Sequence, residues 1–205
     1  PARSLGKPAA RGPHEIRNPI TAAKSLVQQM GEDPNSKETL AYANVALAEL
    51  DRVERSISHL LRFAREEELV LRDVRLGDVV DSALATFQER AARSRVAIER
   101  ETDGAGAIRG DAEKLRRVVI NLVGNAIDAL EQARTPEPRV RVLAGDNLAG
   151  DQVWLRVRDN GPGIPAEVRE RIFDPFYTSK QGGTGLGLAL SRKLVEAHGG
   201  SIDLH

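Results

Sequence analysis

The chain has 205 residues, 30 Lys+Arg balanced by 30 Asp+Glu, no cysteine, and a hydrophobic fraction of 40% before its 18 glycines are added. That length suits one large or two small domains with a real core, and the apolar content excludes disorder over most of it. Zero cysteine removes disulfides and thiolate zinc sites, balanced charge argues against bulk binding to nucleic acid or membrane, and no apolar run spans a bilayer. Nothing resembles a signal peptide, so a cytoplasmic setting is expected, with membrane attachment only through regions absent from this chain.

Residues 1–13 hold Pro1, Pro8, Pro13, Gly6 and Gly12 and read as a linker or upstream segment. From residue 14 to 30 the apolar residues Ile16, Ile20, Ala23, Leu26, Val27 and Met30 recur at helical spacing, until residues 31–35 break the pattern. Ser36 is a candidate N-cap for a second helix, where Leu40, Ala43, Leu47, Leu50, Ile57, Leu61 and Ala64 step by threes and fours. Two such helices form an antiparallel hairpin, which buries two apolar stripes best as a dimeric four-helix bundle. A monomeric hairpin packed on the rest of the chain is the alternative.

After residue 68 strands and helices alternate, which sets a domain boundary at residues 67–73. Strands are expected at residues 69–74, 96–101, 139–143, 153–157 and from 201 to 204. Helices are expected at 76–93, 113–134, 166–172 and 186–198. The fold class is therefore α+β: a helical hairpin over residues 14–68, followed by a two-layer α/β sandwich over 69–205.

Four clusters carry chemistry. Asp159-Asn160-Gly161-Pro162-Gly163 follows a strand, so a carboxylate sits at a strand end, where it could accept from an exocyclic amine such as that of adenine; an ordinary Asx turn is the other reading. Gly182 to Leu188, with Gly183, Thr184, Gly185, Leu186 and Gly187, precedes a helix, where N–H groups and the helix dipole attract phosphate. Its spacing rejects both the Rossmann and the Walker A loops, and a glycine hinge without ligand is the alternative. On the helix of residues 113–134, Asn121 and Asn125 face one way with Asp128 three further on. Amides inside an apolar stripe are costly to bury alone, so they either bond to backbone or serve a hard cation through oxygen. Lastly, His14-Glu15-x-x-Asn18-Pro19 sets a carboxylate beside an imidazole, which fixes the tautomer of a phosphoryl acceptor, with Asn18 on the same face.

Together these residues resemble the catalytic region of bacterial two-component sensor histidine kinases. Residues 14–19 resemble the phosphoacceptor H-box, 121–126 the N-box, 159–163 the G1 box, 172–176 the F-box and 183–188 the G2 box, in family order. The His-Glu-Ile-Arg-Asn-Pro and Asn-Ala-Ile-Asp-Ala forms are most similar to the nitrogen-regulation-type branch. The resemblance implies a dimerisation and histidine-phosphotransfer hairpin followed by a Bergerat-type (GHKL) ATP-binding sandwich, with ATP and Mg²⁺ as cofactors. It implies phosphorylation at His14, Glu15 as its base partner, and Asn18 supporting dephosphorylation of the partner. Asn125 would ligate Mg²⁺ with Asn121 beside it, Asp159 would read the adenine amine, and Gly161 and Gly163 would line the adenine pocket. Asp128 joins the ATP-binding set beside them. Phe173 and Phe176 would anchor a lid in which Lys180 meets phosphates, while Gly183, Thr184, Gly185, Leu186, Gly187 and Leu188 close over the triphosphate.

Fold-related ATPases of the Hsp90, gyrase and MutL types carry a Glu where this chain has Asn121, so transfer to His14 is favoured over hydrolysis. The phosphoryl group would then pass to an aspartate on a response regulator receiver domain, and no nucleic-acid partner is expected. A fold-related ATPase and a non-catalytic dimeric docking module are the competing functions. Two departures from the family pattern stand out. Pro8 and Gly12-Pro13 discourage helix just before His14, and the chain stops short of the family's last strands.

Overall fold

A computed structural model describes residues 12–32, 38–64, 68–104, 106–180 and 183–204; the side chains of residues 12–17 and of most residues from 55 to 67 are outside that description. Ser36, the expected N-cap, and residues 1–11 also lie outside the described residues. The chain divides into two compact units, Pro1–Glu66 with Phe176–Leu186, and Glu67–Pro175 with Gly187–His205.

The first unit is built on the hairpin of α1 (Gly12–Glu32) and α2 (Thr39–Ala64). Pro19 lies inside α1, and His14 falls in its first described turn. Each helix carries two apolar stripes. Ala23, Ala46 and Val53 are buried between the helices, where small side chains let the backbones approach. A second stripe is left open: Ile20, Val27, Leu40, Leu47, Leu50 and Ile57 are 41–74% exposed.

In the second unit, β1 (Arg72–Arg75) leads into α3 (Leu76–Leu84), a 3₁₀ turn over Ala85–Phe87, and α4 (Gln88–Ser94). One continuous helix was expected over 76–93. Instead the turn bends the path so that Phe87 enters the core, and α4 ends on Arg95 in the left-handed region (φ 55°). β2 (Ala97–Gly104) and β3 (Ala107–Gly110) follow, then α5 (Ala112–Ala133), β4 (Arg139–Asp146), β5 (Val153–Asp159), α6 (Ala166–Arg169) and α7 (Gly187–Ala197).

A three-stranded sheet runs β2-β4-β5, β2 parallel and β5 antiparallel to β4, and β1 pairs antiparallel with β3 in a separate ribbon. β3 was not anticipated, because four residues containing Arg109 give no apolar alternation. Residues 201–204, expected as a strand, are irregular, and a strand exists only with a partner to pair its backbone.

The core is one layer of helix on one layer of sheet. α5 turns Val119, Val123, Ala126, Ile127 and Leu130 inward at helical spacing, against Val140 and Val142, alternate residues of β4. Val123 and Ile127 are fully buried, each contributing about 1.5–3 kcal/mol relative to exposure. Across β4 and β5, Gly145 lets the Trp154 ring lie flat: a Cβ there would stand 2.9 Å from the indole.

Candidate functional site

The long helix α5 positions most of the predicted site. It starts on Asp111, whose carboxylate accepts from the N–H groups of Glu113 (3.1 Å) and Lys114 (3.2 Å), fixing the helix register. Three turns of this helix then carry Asn121, Asn125 and Asp128, all partly buried, with Leu130 following. At a rise of 1.5 Å per residue, Asn121 and Leu130 stand roughly 14 Å apart along the axis.

At one end of that span, Asn121 Nδ2 donates to the Gly187 carbonyl and to Ser191 Oγ, each at 3.2 Å, so the amide closes onto the first turn of α7. The N–H groups that open α7 therefore begin beside an amide of α5. At the other end, Leu130 Cδ2 lies 3.5 Å from where a Cβ on Gly161 would be, so the turn after β5 packs against the end of α5. Asp159 Oδ1 accepts from Gly161 N–H at 2.8 Å, which is the Asx turn held open as an alternative. Its other oxygen, Oδ2, has no hydrogen bond or ion pair among the described residues. A Cβ on Gly161 would stand 2.7 Å from Asp159 Oδ1 and displace that carboxylate from the turn, and Gly163 sits at φ 75°, in the left-handed region that favours glycine. Asn160 stitches this turn to the start of β4: its Oδ1 accepts from Arg139 N–H at 2.8 Å and its Nδ2 donates to the Glu137 carbonyl at 3.1 Å. Sequence reasoning passed over Asn160, though its place inside Asp-Asn-Gly was the signal.

Asp128 has a different neighbourhood. Its Oδ1 accepts from Arg90 Nη2 at 2.6 Å, and the same guanidinium spans to Glu131, so the two carboxylates fasten α5 to α4. Glu131 is held below the usual carboxylate range by the hydrogen bond from Arg90, then by that from Ser94. A groove lined by Asp81, Leu84, Gln88 and Ile98 on this side of the sheet contains none of the predicted site residues.

Phe173 is buried, and Arg192 of α7 stacks on its ring, guanidinium carbon 4.3 Å from the centroid. Phe176, at φ 67°, donates its N–H to the Gly185 carbonyl at 2.9 Å, and Gly185, at φ 63°, has no room for a Cβ against the backbone of Phe176 and Tyr177. Lys180 N–H donates to Thr178 Oγ1 at 3.1 Å, and Gly183 N–H to the Lys180 carbonyl at 3.1 Å. Thr184 is half-buried and Leu186 buried, and Leu188 is half-buried in the first turn of α7. On α1, Asn18 is exposed, whereas the side chains of His14 and Glu15 lie outside the described residues. No helix among the described residues is long and apolar enough to cross a membrane.

The comparisons with known proteins fall on the same two segments. The His Kinase A (phospho-acceptor) domain matches residues 13–69. The histidine kinase-, DNA gyrase B-, and HSP90-like ATPase family matches residues 110–205. The signal transduction histidine-protein kinase AtoS of Escherichia coli strain K12 is 35% identical over 203 residues, 97% of this chain and 32% of that protein. The chain spans about a third to under half the length of the curated relatives it matches. The crystal structure of the histidine kinase ThkA in complex with response regulator protein TrrA aligns over 96% of this chain and 56% of that one, with a TM-score of 0.73 and 31% identity. The nucleotide-free catalytic domain of ThkA covers 62% of this chain and 81% of that one, with a TM-score of 0.55 and 31% identity. With a phosphoacceptor hairpin and an ATP-binding sandwich in tandem, this chain belongs to the bacterial two-component sensor histidine kinases and carries their catalytic core.

Proposed function

We propose that this chain transfers the γ-phosphoryl group of ATP to His14 and from there to an aspartate of a response regulator receiver domain, with dephosphorylation of that partner as a second activity. The domains in this reading are a linker over 1–13, a dimerisation and phosphotransfer domain over 14–68 and a catalytic domain over 69–205. What carries it is the amide of Asn121 closed onto the first residue of α7, at the end of a glycine run, in a chain whose first helix bears His14.

Along α5 the purine end is at Asp159 and the phosphate end at Asn121. Asp159 Oδ2 accepts from the adenine amine, and Gly161 and Gly163 leave the base room. A hard cation fits the other end: Asn121 offers an amide oxygen with its two N–H groups already used, and Asn125 shares its face. Among the described residues no cluster of three or more carboxylate, His or Cys ligands exists, and phosphate oxygens and water would complete the shell of an ion held by Asn121 and Asn125. Bound Mg²⁺ supplies neutralisation of phosphate charge.

At the phosphoacceptor, a ring nitrogen of His14 forms the P–N bond as the bond from phosphorus to the ADP oxygen breaks, while Glu15 holds the proton on the second ring nitrogen. Asn18, exposed on the same helix, directs the water that dephosphorylates the partner. Because residue 121 is an amide, no base activates water at the nucleotide, which favours transfer over hydrolysis. Phe173 and Phe176 flank the lid, and the roles of Lys180, Gly183, Thr184, Gly185, Leu186, Gly187 and Leu188 over the phosphates rest on the motif. Asp128 acts in this reading through Arg90, as a brace for the helix.

The open apolar stripe of the hairpin supports a homodimer, since burying Leu40, Leu47, Leu50 and Ile57 against a second copy completes a four-helix bundle. Incubation with γ-labelled ATP and Mg²⁺ tests the whole. Acid-labile label is expected on the protein and none on His14→Ala. Label retained by that variant, or free phosphate as the sole product, would refute the assignment.

A further inference from the structure

Ser191 is 0% exposed, on the inner face of α7 with Ala189, Leu190 and Leu194. A buried hydroxyl is costly unless its hydrogen and lone pairs are used. Here they are: Ser191 Oγ donates to the Gly187 carbonyl at 3.0 Å, one turn back, and accepts from Asn121 Nδ2 at 3.2 Å. Asn121 Nδ2 gives its second hydrogen to that same carbonyl at 3.2 Å. Three groups from two helices thus close a triangle. Both amide hydrogens are consumed on the α7 side, and turning the amide over would set two oxygens against each other at Gly187. The orientation is therefore fixed, and Asn121 Oδ1 is left with no partner among the described residues.

We propose that Ser191 is a positioning residue for the nucleotide site: it locks the Asn121 amide so that Oδ1 is held as an acceptor toward the divalent cation, or toward its water shell, at the phosphates. The inference rests on the Mg²⁺-ATP reading above and deepens it. It also accounts for the amide at position 121. A carboxylate has no hydrogen for the Gly187 carbonyl, so the triangle accepts Asn and rejects Asp, and with Asp a charged oxygen would face a backbone carbonyl.

The test is calorimetric titration of the full chain with the β,γ-imido analogue of ATP, with and without Mg²⁺, for wild type and Ser191→Ala. Alanine loses only the oxygen, so the protein should stay folded with a melting temperature lower by no more than a few degrees, and affinity without Mg²⁺ should hold within about twofold. The gain in affinity conferred by Mg²⁺ should fall by about five- to tenfold, the effect of one neutral hydrogen bond. A second readout needs no nucleotide: the Asn121 side-chain amide hydrogens, slow to exchange with solvent in wild type, should exchange faster in Ser191→Ala. A variant that keeps the whole Mg²⁺ gain, loses affinity equally with and without the ion, or retains the slow amide exchange overturns the proposal. If wild type takes up no nucleotide under either condition, the ATP reading itself fails and this inference goes with it. If wild type shows the Mg²⁺ gain and Ser191→Ala matches it, only the role of Ser191 falls.

Discussion

Asp111 shows what a single side chain can join. Besides capping α5, its carboxylate accepts from Val70 N–H at 3.0 Å, tying the segment that leads into β1 to the start of the helix. Its own N–H donates to His198 Nε2 at 3.0 Å, which leaves His198 Nδ1 to donate to the Leu194 carbonyl at 2.7 Å and so brings the end of α7 to the same point. From sequence the helix was expected from residue 113, two residues past this cap. Nothing local could have shown the bond to His198, because the two partners lie 87 residues apart. Burial pushes the Asp111 carboxyl up, but the hydrogen bonds from Val70 and Lys114 outweigh it and hold it below the usual value. A folded value lowered in this way adds stability above the unfolded value of about 3.9, and that stability is lost as pH falls through the folded value. Asp111→Asn keeps the capping oxygen, removes the charge and turns the acceptor of Val70 N–H into a donor, so it should melt a few degrees below wild type at pH 7, for roughly 1 kcal/mol from the charge. Melting curves taken from pH 7 down to about 3 should show the two proteins converging below about pH 4. A gap that stays constant to acid would assign the effect to shape instead of charge.

At the scale of elements, legibility followed periodicity. α1, α2, α5 and α7 carried long apolar stripes, and their existence and approximate ends were readable. The break between α3 and α4 was not, because the residues of the 3₁₀ turn, Ala85–Phe87, contain neither Gly nor Pro. The stops at Arg95 and Arg134, both left-handed where glycine is the usual signal, fall within two residues of the expected helix ends at 93 and 134. In the hairpin the sequence named the stripe of large residues on α2 but not the buried Ala46 and Val53. The expected seam of Leu40, Leu47, Leu50 and Ile57 lies open in the single chain, and the contact between α1 and α2 is made instead by the smaller Ala23, Ala46 and Val53. An interior stripe of small residues and an exterior stripe of large ones is what a bundle of two hairpins needs. Leu47 and Leu50, 59% and 47% exposed, can therefore be changed without opening a cavity within one hairpin. Leu47→Glu combined with Leu50→Glu should convert a dimer to a monomer by light scattering at micromolar concentration while helical circular dichroism changes little. A dimer mass that survives the double substitution would remove this stripe as the interface.

For the whole molecule, the four clusters that carry chemistry stood out because each is set by side-chain chemistry that shows in the letters: an imidazole beside a carboxylate, paired amides, an acid at a strand end, glycines before a helix. What the letters could not give was the division of labour inside a motif. The Asn121 amide bonds α7, Asp128 braces α4 through Arg90, and Asp159 splits its two oxygens between its own turn and a free direction. That last split bears on the proposed chemistry as a whole, because recognition of the base and phosphorylation of His14 belong to different compact units and can be separated by one atom. In Asp159→Asn the amide oxygen can still accept from Gly161 N–H, so the turn and the fold are preserved. The second atom becomes an N–H donor, which faces the donor amine of adenine but would suit the carbonyl oxygen of guanine. Affinity for ATP should fall at least about tenfold, the preference for ATP over GTP should shrink by more than that, and labelling of His14 by ATP should drop in step. Calorimetry with both nucleotides, beside the labelling assay and a mass measurement, reads all three. Unchanged ATP affinity in a natively melting Asp159→Asn protein would move base recognition away from Asp159, even if His14 continued to accept phosphate.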